Sequence, residues 1–453
     1  MPTAHGEHLT AFFPLLSGFD AHDRIGWSGG RAVTAAQFCA TALELAGRLP
    51  PKGQVINLCA DRLNFLVGFA AALIARQTTL LPQSSAPGAL RELQAAHPGS
   101  YCLADDASLP AGLPAIVVPP PRAAGGRFDV PPVPASHIAL VAFTSGSTGR
   151  PQPHARSWGS LVTAARLLGQ RLGVTPQTRC ALVGTVPPQH VYGLETTVML
   201  PLQNGAAVCA ERPLLPGDVA AALEALPEPR WLATTPAHLR ACVDSGAAQP
   251  RLAGIVSATM PLSAELAARA ERLWRAPLHE IYGCTETGAI GSRRTAASER
   301  WRAADGLRLR RRGEATWAEG AQLAAPTRLP DRIEVCGEDE FVLLGRPEDL
   351  VKVAGKRASL EQLNRELAAV PGVRDGVFFI PENARAVARL AALAVAPGRD
   401  AAAILAALRG RIDPAFLPRP LLIVDALPRN AAGKLPREAL LALAKSAARR
   451  RSA

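Results

Sequence analysis

From residue 54 to about residue 282, short apolar runs rich in β-branched residues alternate with longer stretches whose apolar positions recur every three or four residues. The first pattern predicts strands buried on both faces and the second predicts amphipathic helices. Their alternation predicts strand–helix–strand units around a largely parallel sheet. Expected strands fall at 55–58, 79–81, 115–118, 138–143, 180–184, 207–209, 232–234, 254–257 and 278–282, and expected helices include 35–49, 63–76, 159–172, 236–244 and 263–274. Thr34, Ser157, Thr235 and Ser263 stand at N-cap or first-turn positions, where a side-chain oxygen accepts from an amide that the first turn leaves unpaired. The stretch 119–134, rich in Pro, Gly and Arg, reads as a surface connector. Between 289 and 325 the alternation fails, which predicts an irregular, Arg-rich region.

Two β-rich pieces, 332–335 and 340–344, end at Gly345-Arg346. A more compact pattern follows, with strands at 350–353, 376–380, 389–395 and 421–424 and helices at 360–370, 401–412 and 437–448. The chain of 453 residues exceeds what a single hydrophobic core serves. The expected fold class is α/β: a large N-terminal domain of mostly parallel sheets flanked by helices, residues 1–346, and a small mobile α+β C-terminal domain, residues 347–453, linked through Pro347-Glu348-Asp349.

Composition removes function classes more than it adds them. The longest apolar run, 65–75 with Gly68 inside it, is too short to span a bilayer, and the first twenty residues lack a basic segment followed by an apolar block. A cytoplasmic protein with no membrane span is expected. The eight cysteines are scattered singly, with no metal-ligand spacing, and read as small core residues or incidental thiols. Net charge is +12, and residues 347–453 carry 18 Lys and Arg against 10 Asp and Glu. That surplus suits an acidic partner as well as a solvated face. Nucleic acid is not expected, because the basic residues do not alternate with aromatics and no zinc-finger spacing or RNP-type motif occurs.

The densest chemical signal is Thr144-Ser145-Gly146-Ser147-Thr148-Gly149-Arg150-Pro151, placed directly after the apolar run 138–143. Glycines let backbone amides close on an anion and hydroxyls add donors without bulk, so the loop reads either as a surface turn or as a phosphate cradle. It is not a Walker loop, since no Gly-Lys-Ser/Thr closes it.

Four further segments decide between the two readings: Pro187-Pro188-Gln189-His190-Val191-Tyr192-Gly193, Tyr282-Gly283-Cys284-Thr285-Glu286, Gly345-Arg346-Pro347-Glu348-Asp349-Leu350-Val351-Lys352-Val353-Ala354-Gly355-Lys356-Arg357 and Pro428-Arg429-Asn430-Ala431-Ala432-Gly433-Lys434. With the opening loop they resemble, in order and spacing, the core motifs of the adenylate-forming superfamily of acyl-CoA synthetases, peptide-synthetase adenylation domains and luciferases. The resemblance covers residues 30–440. It implies activation of a small carboxylic acid with ATP and Mg²⁺ and transfer of the acyl group to the thiol of an acyl carrier protein or of coenzyme A.

Residue by residue, the resemblance implies that Thr144, Ser145, Gly146, Ser147, Thr148 and Gly149 hold the β- and γ-phosphates. Thr285 becomes a phosphate donor, Glu286 the Mg²⁺ ligand, Tyr282 an aromatic face for adenine, and Gly283 a point of close backbone approach to substrate. Ser257, Ala258, Thr259 and Met260 with His190 line the acyl pocket and the adenine edge. Asp331, fourteen positions before Gly345, takes the ribose hydroxyls, supported by Arg346. Lys434 is the mobile cation of the adenylation step. Rotation about Glu348 then replaces it with the Gly355-Lys356-Arg357 loop, which admits a pantetheine arm.

Departures from the family pattern carry expectations of their own. Gln152 stands where the family usually ends its phosphate motif with lysine, which implies weaker ATP binding. Ala258-Thr259-Met260 replaces Gly-Gly-Ala and narrows that wall, and Leu329-Pro330 replaces Thr-Gly before Asp331. The bulky Met260 and compact chain favour a small or aromatic acid over a long fatty-acyl tunnel. Residues 57–71 and 301–307 resemble the short ligases of xanthomonadin and aryl polyene pigment clusters, which implies a hydroxybenzoate-type acid and a carrier-protein acceptor. The alternatives are a CoA synthetase for a small or medium fatty acid, and a catalytically silent nucleotide- or acyl-binding sensor.

Overall fold

The computed structural model of the chain describes residues 11–82, 85–106, 114–121, 128–145, 151–313, 315–345, 350–353, 356–381, 390–430 and 433–452. It is a mixed α/β fold. A six-stranded sheet runs Pro151–Ser157, Ile138–Ser145, Thr78–Leu81, Gln54–Asn57, Tyr101–Ala104, Ala115–Val117, parallel throughout except for the first pair. An eleven-stranded sheet is parallel through Arg24–Ser28, Ala207–Cys209, Ala181–Gly184, Arg230–Thr234, Gly254–Ser257 and Leu278–Cys284. These parallel strands read as continuous apolar runs because both faces are covered, and Ala181–Gly184 and Gly254–Ser257 are buried at every position.

The helix Arg62–Ile74 explains how the two sheets join. Eleven of its residues are buried, on every side of the helix, because it lies against strands of both sheets. Thr34, Ser157, Thr235 and Ser263 all act as N-caps, each accepting from the amide three residues on, and Thr34 forms a reciprocal capping box with Gln37.

The region 289–325, expected to be irregular, is instead built of antiparallel strands. Gly288–Arg293 and Trp301–Ala303 extend the large sheet and are followed in it by the expected strands Glu340–Gly345 and Arg332–Val335, while Arg308–Arg312, Ala315–Glu319 and Thr327–Arg328 form a sheet of their own. The strand Arg308–Arg312 is mostly exposed, so arginines occupy positions where a half-buried strand would show apolar alternation.

From Leu350 onward the chain forms a strand pair, Leu350–Val353 with Lys356–Ser359, and a three-stranded sheet of Asp375–Phe379, Ala391–Val395 and Leu421–Ile423. The helices Leu360–Ala368, Ala401–Arg409 and Arg437–Ser452 accompany them. Two apolar clusters drawn only from these later residues serve as their core. Among the described residues no helix is long and apolar enough to cross a membrane. Six of the eight cysteines are buried, Cys284 is partly covered and Cys336 is exposed.

Candidate active site

The site forms where parallel strands end, the position at which open α/β sheets place ligands. Ile138–Ser145 and Pro151–Ser157 are the arms of an antiparallel hairpin in which Ser145 faces Pro151 and Thr144 faces Gln152. Thr144 and Ser145 therefore continue the strand, and Gly146, Ser147, Thr148, Gly149 and Arg150 lie outside the described residues. The second arm escapes a sequence reading because of Pro151 and Pro153. It is an edge strand, where a missing amide costs little.

Alternate residues of an extended strand share a face, and His154 and Arg156 use that spacing to reach two different carboxylates. His154 Nε2 is 3.6 Å from Glu286 Oε1, while Arg156 Nη1 is 3.7 Å from Glu195 Oε1 with both side chains buried. The second contact is a charge contact too long for a hydrogen bond. Arg156 Nε donates to Ser160 Oγ at 3.2 Å, and Glu195 Oε2 accepts from the Ala289 amide at 2.8 Å. Burial pushes the Glu195 carboxyl up, against the pull of Arg156 and the Ala289 amide.

Thr285 and Glu286 occupy the turn between Leu278–Cys284 and Gly288–Arg293. Gly288 closes this turn at φ +68°, and a side chain there would collide with the Glu195 carboxylate. The buried Arg156–Glu195 pair thus packs against Gly288, next to the Thr285-Glu286 turn, and ties it to the hairpin 138–157. Gly283 was expected to give substrate a close backbone approach. The space its Cβ would fill belongs instead to the Gly288 carbonyl, so the glycine is required by the hairpin itself, at a bulge between Tyr282 and Gly283.

Tyr282 donates its hydroxyl to Asp331 Oδ2 at 2.8 Å. Its ring packs at 5.8 Å from both Trp301 and Phe341 and is only 8% exposed, so little of its face is open and its clearest structural act is to orient Asp331. Arg332 pairs with Gly345 across an antiparallel ladder, which accounts physically for the fourteen-residue spacing: the hairpin returns the chain beside Asp331 at Gly345. Arg346, Glu348 and Gly355 lie outside the described residues, and Lys356 is placed by its backbone alone, opposite Val353.

The Pro-x-x-His-x-x-Gly segment owes its glycine to packing, since a Cβ on Gly193 would collide with the Pro187 carbonyl. His190 stands at the N-cap position of the helix Val191–Leu194, and Tyr192 pins that helix to two strand ends, its hydroxyl proton shared between the carbonyl oxygens of Thr234 and Val256, each at 2.9 Å. Ser257 ends its strand, and Ala258, Thr259 and Met260 follow. Thr259 takes φ +80°, an unfavourable conformation for a β-branched residue. The buried hydroxyls of Ser257 and Thr259 have no hydrogen-bond partner among the described residues. Two unsatisfied hydroxyls at a strand end fit a polar ligand such as a nucleotide or carboxylate better than an apolar wall.

The lysine loop closes this wall. Gly433, at φ +77°, is so close to it that a Cβ would stand 2.9 Å from Met260 Sδ and 3.4 Å from Thr259 Oγ1. The loop holds its shape through the Lys434 amide donating to Asn430 Oδ1 at 2.9 Å and the Asn430 amide donating to the Lys434 carbonyl at 2.8 Å. Burial drives the His190 imidazole down to about 4, and the nearby charges of Lys434 and Arg212 push in the same direction. His190 is therefore neutral at physiological pH. Removing a like charge favours the protonated ring, so Lys434→Ala is expected to raise the His190 pKa. An NMR titration of the ring proton checks this, and an unchanged value would place the loop away from His190 in solution.

Arg212 and His154 are site neighbours that the sequence did not single out, and only the alternation His154-x-Arg156 after the loop could have pointed to the latter. Among the described residues no group of three or more His, Cys, Asp or Glu could hold a metal ion. A lone carboxylate such as Glu286 still suits Mg²⁺, which keeps waters and binds chiefly through substrate phosphates.

Polar groups thus gather at parallel strand ends, beside a lysine loop that belongs to a separately cored segment. Residues 56–310 match the family of AMP-binding enzymes, and the chain belongs to that family. It is 32% identical over 325 residues to a 4-coumarate–CoA ligase of Rhodobacter capsulatus, an alignment covering 68% of this chain and 77% of that protein. It is 33% identical over 326 residues to a 4-coumarate–CoA ligase of Halorhodospira halophila, covering 66% and 75%. Its fold is similar to that of ATP-bound MatB from Rhodopseudomonas palustris, with TM-score 0.78 and 19% identity over 94% of this chain and 96% of that one.

Proposed function

We propose that the protein, an ATP-dependent acid–thiol ligase, activates a small aromatic acid such as a hydroxybenzoate and passes it to the phosphopantetheine thiol of an acyl carrier protein. The observation that carries this reading is the seating of the Gly433-Lys434 loop on the Thr259-Met260 wall, with the Lys434 charge felt by His190. In the first half-reaction a carboxylate oxygen attacks the α-phosphorus and pyrophosphate leaves, so the protein's task is positioning and charge compensation.

Thr144, Ser145, Gly146, Ser147, Thr148, Gly149 and Thr285 hold the phosphates, Ser257, Ala258, Tyr282 and Gly283 border the adenine, and Asp331 with Arg346 holds the ribose. Glu286 would hold Mg²⁺, which when bound neutralises phosphate charge. His190, Thr259 and Met260 bound the acyl pocket, and Lys434 meets the charge that builds between carboxylate and α-phosphate. The domain boundary lies between residues 346 and 347. Turning residues 347–453 about Glu348 then withdraws Lys434 and brings Gly355 and Lys356 to the channel for the thiol, which attacks the acyl carbon and expels AMP.

The aromatic acid is supported by the 4-coumarate–CoA ligases among the relatives and by the bulk of Met260 beside the loop. The carrier protein is supported by the basic surplus of residues 347–453, complementary to an acidic partner. Those same relatives are named for CoA, which favours free CoA as the second reading. Incubating enzyme, 4-hydroxybenzoate and ATP with either a phosphopantetheinylated carrier protein or CoA separates the two. Faster thioester formation on the carrier is expected, and faster turnover with CoA would overturn the choice of acceptor.

A further inference from the structure

We infer that Asp375 and Arg429 act as a positioning pair for the first half-reaction, fixing the loop that presents Lys434. This rests on the adenylation role proposed above for Lys434. Arg429 donates from Nε to Asp375 Oδ2 at 2.7 Å and from Nη2 to Asp375 Oδ1 at 2.8 Å, a planar fork on one carboxylate. Its remaining guanidinium nitrogen, Nη1, donates to the Gly433 carbonyl at 3.0 Å, one peptide before Lys434. Asp375 opens the strand Asp375–Phe379, and its Oδ1 also accepts from the Gly376 amide at 2.8 Å.

The chain of contacts therefore runs from the sheet, through a carboxylate and a guanidinium, to the backbone of the lysine loop. Within the loop, Asn430 bonds with Lys434 and the Gly433 amide donates to the Asn430 carbonyl at 2.8 Å, which keeps the turn's shape. The fork ties that turn to the sheet, because guanidinium and carboxylate are planar and two parallel bonds leave little rotation.

The pair also lies at the junction with the earlier residues. A cleft of about 500 Å³ separates the helix Pro236–Asp244 and residues 263–269 from the turn 370–374 that leads into Asp375. Arg240 lines that cleft. Burial disfavours its charge, and Asp244 and Asp375 favour it. The carboxylate that holds the lysine loop is thus felt by a helix on the opposite side of the junction.

The test compares Asp375→Asn, Arg429→Lys and Lys434→Ala in the two half-reactions, measured as acid-dependent ATP–pyrophosphate exchange and as thioester formation from supplied acyl-adenylate. Asp375→Asn keeps the size and loses the charge, whereas Arg429→Lys keeps the charge and loses the fork. Both are expected to lower the exchange kcat by roughly ten- to a hundred-fold, the scale of a misplacement of about 1 Å. The KM for ATP, the rate of thioester formation and the melting temperature are expected to stay near wild type, and Asp375→Glu is expected to recover part of the exchange rate. If Lys434→Ala lowers exchange while both pair variants leave it unchanged, or lower both half-reactions equally, the positioning inference is wrong. If Lys434→Ala itself leaves exchange intact, the adenylation role of Lys434 fails instead. A variant that does not fold is replaced in the comparison by the other member of the pair.

Discussion

Replacing Lys434 by alanine is expected to lower acid-dependent ATP–pyrophosphate exchange by roughly 10²–10³-fold, the loss typical when one preorganised donor to developing charge is removed. Thioester formation from a supplied acyl-adenylate should change little. The asymmetry follows from where the loop sits. Gly433 rests on Met260 and Thr259, and the Lys434 charge is felt by the partly buried His190, which supports assigning the cation to the arrangement proposed for bringing acid and nucleotide together. Once the adenylate exists, the proposed rotation carries Lys434 away. Equal losses in both half-reactions would contradict that account.

The second large effect concerns stability. Arg156→Ala or Glu195→Ala is expected to destabilise the fold by roughly 3–5 kcal/mol, because each leaves the other charge buried without its partner. The cost falls where it harms function, since Glu195 also holds the Ala289 amide and lies against Gly288 next to the Thr285-Glu286 turn. Chemical denaturation of the two single variants and of the Arg156→Ala/Glu195→Ala double variant checks it. The double variant should lose less than the sum of the singles, and strict additivity would mean that the two charges do not act as a pair.

Much of the scaffold could be read from the chain because its physics is local. Continuous apolar runs marked the parallel strands, and Thr34, Ser157, Thr235 and Ser263 marked helix starts, since a cap acts on an amide only three residues away. The antiparallel strands between 288 and 319 were hidden because they are short and, as in Arg308–Arg312, largely exposed, whereas 332–335 and 340–344 showed as β-rich runs. Of the proposed site, Tyr282, Glu286, Asp331 and Lys434 were singled out by motif spacing, and the Arg332–Gly345 ladder gives a physical reason for one of those spacings. What supports them was not legible. Glu195 meets Arg156 from a distant helix, and Asp375 meets Arg429 across 54 positions, in contacts that only the folded chain creates. At Gly283 the structure shows a reason for glycine that the sequence did not suggest, since the hairpin itself leaves no room for a Cβ.

The measurement that bears most directly on this account is acid-dependent ATP–pyrophosphate exchange by the purified wild-type protein across benzoates, hydroxybenzoates, cinnamates and short fatty acids. The account predicts exchange that requires an acid and is fastest with a hydroxybenzoate or a close aromatic relative. Exchange with none of these acids would contradict it and would favour a protein that binds nucleotide or acyl groups without activating them.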